Sequence, residues 1–385
     1  MGYLAGIVGL FFYSFTQIDL GLTLSEWSIW QAVQKFFQNI GYFQRPLSSF
    51  IFTLIILILF LFYILILWAV KKNKFTKRNA WFLIASTSII LTFSYNAFSY
   101  DLFNYIFDAK IITYYHQNPY FQKALDYPND PMLSFMHWTH RTYPYGPVWL
   151  LLTAPLSLGI QFFLPTFFLF KTLTSLSFLG TTFFIGKILN KVSPKDEILG
   201  TVFFALNPLV IVESLVSAHN DITMIFFALF ALYLIIDRKY IRSFILLFIS
   251  IGVKIATIFL LPIFVYILLK VNKKLSWQRI LHLSILMMVI AIVLASYRTN
   301  FQPWYLLFVL PFVALSPRYY FVIPGLVFSL VSLLQYLPFL YTGNWNEPIP
   351  SILSVMVYSS VFLSLFSVLF FRFAFLRRES DKISI

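Results

Sequence analysis

The chain has 385 residues, of which 60% are hydrophobic and only 11% charged, with a mean hydropathy of +0.82. So much apolar surface excludes an ordinary soluble protein and makes lipid the solvent for much of the chain. The net charge of +14 is explained by Lys and Arg gathering in alternate loops, as the positive-inside rule requires, and not by a nucleic-acid partner; with no cysteine, disulfides, thiol nucleophiles and thiolate metal sites are excluded.

In chain order, Tyr3–Leu20 is the first apolar span; it lacks a basic start and a small-residue cleavage site, so it reads as a retained helix. Phe50–Val70 is the second. Lys71, Lys72, Lys74, Lys77 and Arg78 follow it and place that loop, and with it the N-terminus, in the cytoplasm. The outer loop between these spans carries EWSIWQAVQKFF, an interfacial helix anchored by Trp27, Trp30, Phe36 and Phe37. Trp81–Phe98 crosses outward and leads to a long outer loop, about 98–146. Pro147–Gly159 is apolar but short and reads as a re-entrant helix, because a crossing there would put Lys187, Lys191 and Lys195 outside. Pro165–Ile188, Leu199–Leu215, Ile222–Ile236, two short spans meeting near Lys254, Ile280–Ser296, Trp304–Leu315, Tyr319–Tyr341 and Ile352–Phe371 complete the pattern. The expectation is an all-α polytopic membrane protein of about 12 transmembrane helices. It forms one domain over 1–385, with both termini cytoplasmic; Arg372, Arg377, Arg378 and Lys382 mark the C-terminal end.

Polar groups at the outer ends of several spans converge on one face of the membrane. The first group is SYDLFNYIFDAKIITYYHQNPY, Ser99–Tyr120. Read as a helix, it puts Asp101, Asn104, Tyr105 and Asp108 on one face and Leu102, Phe103, Ile106 and Phe107 on the other. Two carboxylates at the mouth of a membrane protein read as a site, although Asp101 could simply cap the helix. The second group is Glu213 with Ser217-Ala-His219-Asn220-Asp221, suited to sugar hydroxyls, a phosphate or a metal. Asn220 or Asp221 could equally be a helix cap, and Glu213, inside a span, calls for a partner such as His219 or Lys171. Lys254, flanked by apolar residues, suits either an anionic ligand or an internal ion pair. Arg141-Thr-Tyr143-Pro-Tyr145-Gly-Pro147 is an extended turn with tyrosines placed to stack on a sugar. Arg298–Trp304 contributes Gln302, while Trp304 reads as part of an interfacial belt. Asp126–Asp130 could hold a cation, but Pro128 and Pro131 favour a plain turn.

Taken in order, these motifs resemble the GT-C superfamily of polytopic glycosyltransferases that use polyprenyl-phosphate sugars. Within it, the chain is most similar to bacterial and archaeal mannosyltransferases drawing on polyprenyl-phosphate mannose. Their outer-loop pattern D-x-x-R-Y-x-W-D-G with G-x-N-P-Y is matched at Asp101, Tyr105, Asp108, Asn118, Pro119 and Tyr120. Tyr143–Pro147 matches their Y-P-Y-G-P turn. Asn207, Pro208, Glu213, His219, Asn220 and Asp221 match N-P…E…G-H-N-D, and Lys254 and Gln302–Tyr305 complete a series kept over about 80–310. Asn104, Phe107, Ala109 and Ala218 replace an arginine, a tryptophan and two glycines, and whether Lys110 supplies the missing cation is left open.

The resemblance implies a GT-C-like bundle with amphipathic and re-entrant helices in its first large outer loop. Its active site is extracytoplasmic. There an inverting enzyme moves a hexosyl unit, mannose, from a polyprenyl-phosphate donor to a glycan, lipid or protein acceptor. Asp101 is the expected general base and Asp108 a supporting carboxylate. Asn104, Tyr105, Asn118, Tyr120, Tyr143, Tyr145, Glu213, Asn220, Asp221 and Gln302 contact substrate, while Lys254 and His219 face the leaving phosphate. A divalent cation is compatible with this set but not required by it. The competing readings are a transporter or lipid-linked-sugar flippase, which should show midplane charges and inverted repeats, and a catalytically silent scaffold.

Overall fold

The computed structural model describes residues 1–383, with side chains through Arg372; Arg377, Arg378 and Lys382 have side chains outside the described residues. The chain is 76% helical and has no strand among the described residues. In chain order the helices are α1 Gly2–Ser14, α2 Ser28–Gln38, α3 Arg45–Lys71, α4 Lys77–Thr92, α5 Asp101–Thr113 and α6 Pro147–Thr153. They continue as α7 Phe163–Val192, α8 Glu197–Ala205, α9 Pro208–Ile211, α10 Asp221–Ile236, α11 Tyr240–Val253 and α12 Leu261–Leu269. The last five are α13 Trp277–Thr299, α14 Leu306–Leu315, α15 Tyr319–Leu334, α16 Leu337–Thr342 and α17 Ile349–Ile383.

Five helical segments are long and apolar enough to cross a membrane: 45–71, 163–192, 277–299, 319–342 and 349–372. A sixth arises if the pair 194–205 and 208–216, bent by 55°, counts as one span. The remaining expected spans are shorter apolar helices, because the runs that suggested them include turns and 3-10 pieces as well as helix. The run ending at Phe98, for example, leaves the helix at Thr92. The re-entrant candidate is α6 with a 3-10 turn to Ser157, tied to α5 by a Thr113–Ser157 hydroxyl contact of 2.8 Å. Gly146, just before it, lets two backbones meet, since a Cβ there would lie 2.1 Å from the Gly252 carbonyl oxygen.

The centre of the protein is the segment from α8 to α10, buried almost without interruption. α7 packs on it through small hydroxyls, as spans do when close approach replaces hydrophobic driving force; Ser177 meets Thr223 at 2.9 Å. The bend between α8 and α9 falls where Pro208 ends the helical register, and the Asn207 side chain caps the new helix by accepting from the Leu209 N–H at 3.0 Å. One turn on, residues 212–216 widen into a π-helix that carries Glu213. The outer face of α3 exposes Phe50, Leu54, Leu57, Leu61 and Trp68, as a lipid-facing helix should.

Helix α2 is built inside out. Its glutamines are buried, with Gln34 donating to the Leu22 carbonyl at 2.7 Å and Gln38 to that of Asp19 at 3.1 Å. Trp27, Ile29, Val33 and Phe36 are exposed. Polar groups inward and aromatics outward suit the interface expected of this segment.

Candidate active site

Helix α5 differs from the surface helix that its amphipathic pattern suggests. It is buried on both sides by protein. Phe103 packs against Phe135, Phe163 and Phe167, while Tyr105, on the polar face, packs edge-on to Tyr145 and Trp149. Asp101 is the first residue of the helix and makes no side-chain cap, so the capping role is not the one it plays. Its charge sits where the helix dipole favours an anion.

Asp101 stands at the edge of a cluster drawn from separate segments. Arg141 Nη2 lies 3.5 Å from its Oδ1; His219 Nδ1 lies 3.7 Å and the Tyr145 hydroxyl 3.4 Å from its Oδ2. On the far side of the imidazole, His219 Nε2 lies 3.3 Å from Glu213 Oε2, and the Tyr336 hydroxyl donates to Glu213 Oε1 at 2.9 Å. The imidazole face stacks on Trp304, ring centres 4.2 Å apart. His219 is thus held in the core between two carboxylates. Glu213 takes His219 as partner. Lys171 instead caps the π-turn, donating to the carbonyls of Leu215 and Val216.

Lys254 closes α11 in an extended conformation and donates to Asp221 Oδ1 at 2.7 Å, so the internal ion pair is formed. Asp221 begins α10, a second carboxylate at a helix N-terminus. Between Asp221 and His219 lies Asn220, whose backbone N–H points to the Tyr105 hydroxyl at 3.5 Å. Ala218 reaches this turn with φ of +56°, in the left-handed region that favours glycine.

Asp108 is about two turns along from Asp101 and lines a small crevice with Asn104, Arg141 and Pro144. Burial pushes its carboxyl up to about 8, opposed by Arg141 and reinforced by the charge of Asp101. A carboxyl raised in this way favours its protonated form near neutral pH, which can donate a hydrogen bond. The cation near this helix is Arg141. Lys110 is taken by Asp130, whose carboxyl it holds below the ordinary range although burial opposes this; Asp130 also accepts from Tyr115 at 2.7 Å. Asp130 further caps the turn at Pro131, so the 126–130 segment is structural.

The other expected residues stand around the cluster. Asn104 donates weakly to the Tyr100 carbonyl at 3.4 Å. Asn118 accepts from the Tyr120 N–H, and the Tyr120 hydroxyl donates to the Tyr145 carbonyl at 3.3 Å. Tyr143 is buried and bonds to Gly146. These three shape the Tyr-Pro turn and do not join the cluster. Gln302 precedes Trp304 and donates weakly to Thr299. Tyr336 is the participant that the sequence did not single out; Trp304 reads there as an interfacial anchor, and Arg141 only as the head of the Tyr-Pro turn.

Polar atoms without a hydrogen-bond partner in the protein concentrate here: both ring nitrogens of His219, both amide atoms of Asn220, and Glu213 Oε2, Asp221 Oδ2 and Arg141 Nη2. Four of these, the two His219 nitrogens, Glu213 Oε2 and Arg141 Nη2, face ionisable neighbours at 3.3–3.7 Å, and the Asn220 amide and Asp221 Oδ2 are left without a partner. Among the described residues no group of three or more His, Asp or Glu side chains is placed to hold a metal ion.

A helical membrane protein with a carboxylate–imidazole–carboxylate cluster at one end of its bundle is the class defined by these features. The chain matches the MptA/B family, described as alpha-(1->6)-mannopyranosyltransferase, N-terminal domain, over residues 3–270. It belongs to that family and is a glycosyltransferase of the mannosyl-transferring kind. No curated protein and no solved structure matches it. The family match takes in Asp101, Arg141, Glu213, His219, Asp221 and Lys254; Trp304 and Tyr336 come from beyond it.

Proposed function

We propose that this chain is an inverting mannosyltransferase of the GT-C type. It draws on polyprenyl-phosphate mannose at the extracytoplasmic face of the cell membrane and works as one domain over 1–385. The observation that carries this reading is Asp101, set at a helix N-terminus against His219 in a chain of a mannopyranosyltransferase family.

The acceptor hydroxyl attacks the anomeric carbon from the face opposite the phosphate. Asp101 takes its proton, the bond from the anomeric carbon to the phosphate oxygen breaks, and the electron pair leaves with the phosphate. His219 acts through Asp101. Packed between two carboxylates and against Trp304, it holds the base in one orientation, and Glu213 with Tyr336 holds His219. Asp108, protonated, donates to the sugar together with Asn104, and Asn220 and Tyr105 are further proposed contacts. Positive charge on the ring meets the carboxylate of Asp101. The phosphate is already a good leaving group and needs charge compensation, which Lys254 supplies while sharing its ammonium with Asp221. An apolar carrier in the bilayer explains why such an enzyme is made of spans.

The test is transfer of labelled mannose from synthetic polyprenyl-phosphate mannose by the purified chain, with the product anomer read by NMR. Inversion relative to the donor supports the reading. Retention, or use of a soluble nucleotide sugar instead, contradicts it.

A further inference from the structure

Between α3, α16 and α17 lies an open, shallow groove of about 540 Å³ lined by Phe50, Thr53, Leu337, Tyr341, Ile352 and Met356. Its volume lies within the range of ligand sites, roughly 300–1,000 Å³, and its walls are almost wholly apolar. Tyr336, the residue before α16, donates to Glu213, so the groove is at the same end of the bundle as the cluster.

Arg45 opens α3 one turn before Ser49 and Phe50 of the groove wall. Its guanidinium packs on the backbone at Gly343, next to Tyr341 and Thr342. A Cβ at 343 would lie 2.4 Å from Arg45 Cζ, and φ there is +77°, so both space and conformation require glycine. The guanidinium also lies over the Tyr42 ring, 5.6 Å from its centre. Arg45 is half-buried, and among the described residues no carboxylate lies within ion-pair distance of it. The acid closest in sequence to the groove, Glu347, accepts from Ser351 instead. A partly desolvated cation without a counter-ion is costly, and an apolar groove on a membrane-crossing helix is filled by hydrocarbon. One molecule answers both conditions: an anion with an apolar tail.

We propose that this groove binds an anionic phospholipid of the bilayer, its phosphate on Arg45 and one acyl chain along Phe50, Thr53, Leu337 and Ile352. A free phosphate leaves the walls unfilled. A zwitterionic headgroup brings its own cation to the phosphate and gains less from Arg45. Arginine suits the role because its planar fork donates two hydrogen bonds to one phosphate. The site is separate from the catalytic cluster and does not rest on the reading of its chemistry.

The experiment titrates the purified full-length chain with phosphatidylglycerol, phosphatidylcholine and polyprenyl phosphate, reading bound lipid by native mass spectrometry. Phosphatidylglycerol should bind the wild type more tightly than phosphatidylcholine. Arg45→Gln should weaken phosphatidylglycerol about tenfold or more, the worth of a charge-assisted hydrogen bond, and leave phosphatidylcholine unchanged. Thr53→Trp, which fills the groove, should weaken it with Arg45 intact. Equal affinity for the two phospholipids, unchanged phosphatidylglycerol binding in Arg45→Gln, or an effect of that variant on polyprenyl phosphate alone overturns the proposal.

Discussion

His219 Nε2 lies 3.3 Å from Glu213 Oε2, and both side chains are wholly buried. A carboxylate placed there without a partner would be strongly unfavourable, so the imidazole and the acid hold each other in place. Because the same ring presents Nδ1 to Asp101 at 3.7 Å, the pair adjoins the carboxylate at the head of α5 that is the proposed base.

This contact makes His219 and Glu213 positioning residues. His219→Ala and Glu213→Gln should each lower kcat about a hundredfold, within the range of general-base effects, with KM for the donor little changed. The double variant should lose little more than either single one, since the residues act as a unit. His219→Asn, which keeps a donor, should recover part of the rate. A raised donor KM at unchanged kcat would instead mark His219 as a phosphate ligand.

Asp108 carries a pH signature. Its folded carboxyl titrates near 8 against an ordinary 3.8, so the neutral form is the one that folding favours. That contribution is complete below the ordinary value and is lost as pH rises through about 8. Asp108→Asn should therefore flatten the decline of thermal stability over this interval and be more stable than the wild type at its upper end. Parallel stability profiles for the two proteins would remove the protonated-acid role.

Lys254 and Asp221 separate structure from binding. Lys254→Met strands a fully buried carboxylate and should destabilise by about 3–5 kcal/mol. Adding Asp221→Asn should restore much of that loss. If Lys254 also meets the leaving phosphate, the double variant keeps a raised donor KM although it folds; wild-type kinetics in it would leave the lysine only the ion pair.

Ala218 is held at φ +56° in the core. An alanine there costs about 1–2 kcal/mol, against which glycine forfeits roughly 0.5–1 kcal/mol of chain entropy. Ala218→Gly should thus raise stability by up to about 1 kcal/mol in denaturant unfolding and leave transfer intact. A loss of stability would mean that the turn does not need the left-handed conformation.

Much of this arrangement is legible in the residues because the chain is so apolar. In a sequence with 11% charged residues, Asp101, Glu213, His219, Asp221 and Lys254 stand out at the ends of spans, and the structure brings them together. Trp304 and Tyr336 are not legible in the same way. Aromatic residues at span ends look like interfacial anchors until a tertiary contact shows one stacked on His219 and the other bonded to Glu213. Arg141 lies far along the loop from α5, and only the fold of residues 114–146 returns it to the crevice beside Asn104. Span number is the least legible feature. A hydropathy run does not distinguish helix from the 3-10 and π turns that break it, as at Lys254 and at 212–216.

The proposed role of Asp101 as general base stands or falls on the turnover of purified Asp101→Asn with polyprenyl-phosphate mannose and acceptor. Transfer should fall to background while the variant inserts in membranes and unfolds at the wild-type temperature. Wild-type turnover in that variant would contradict it.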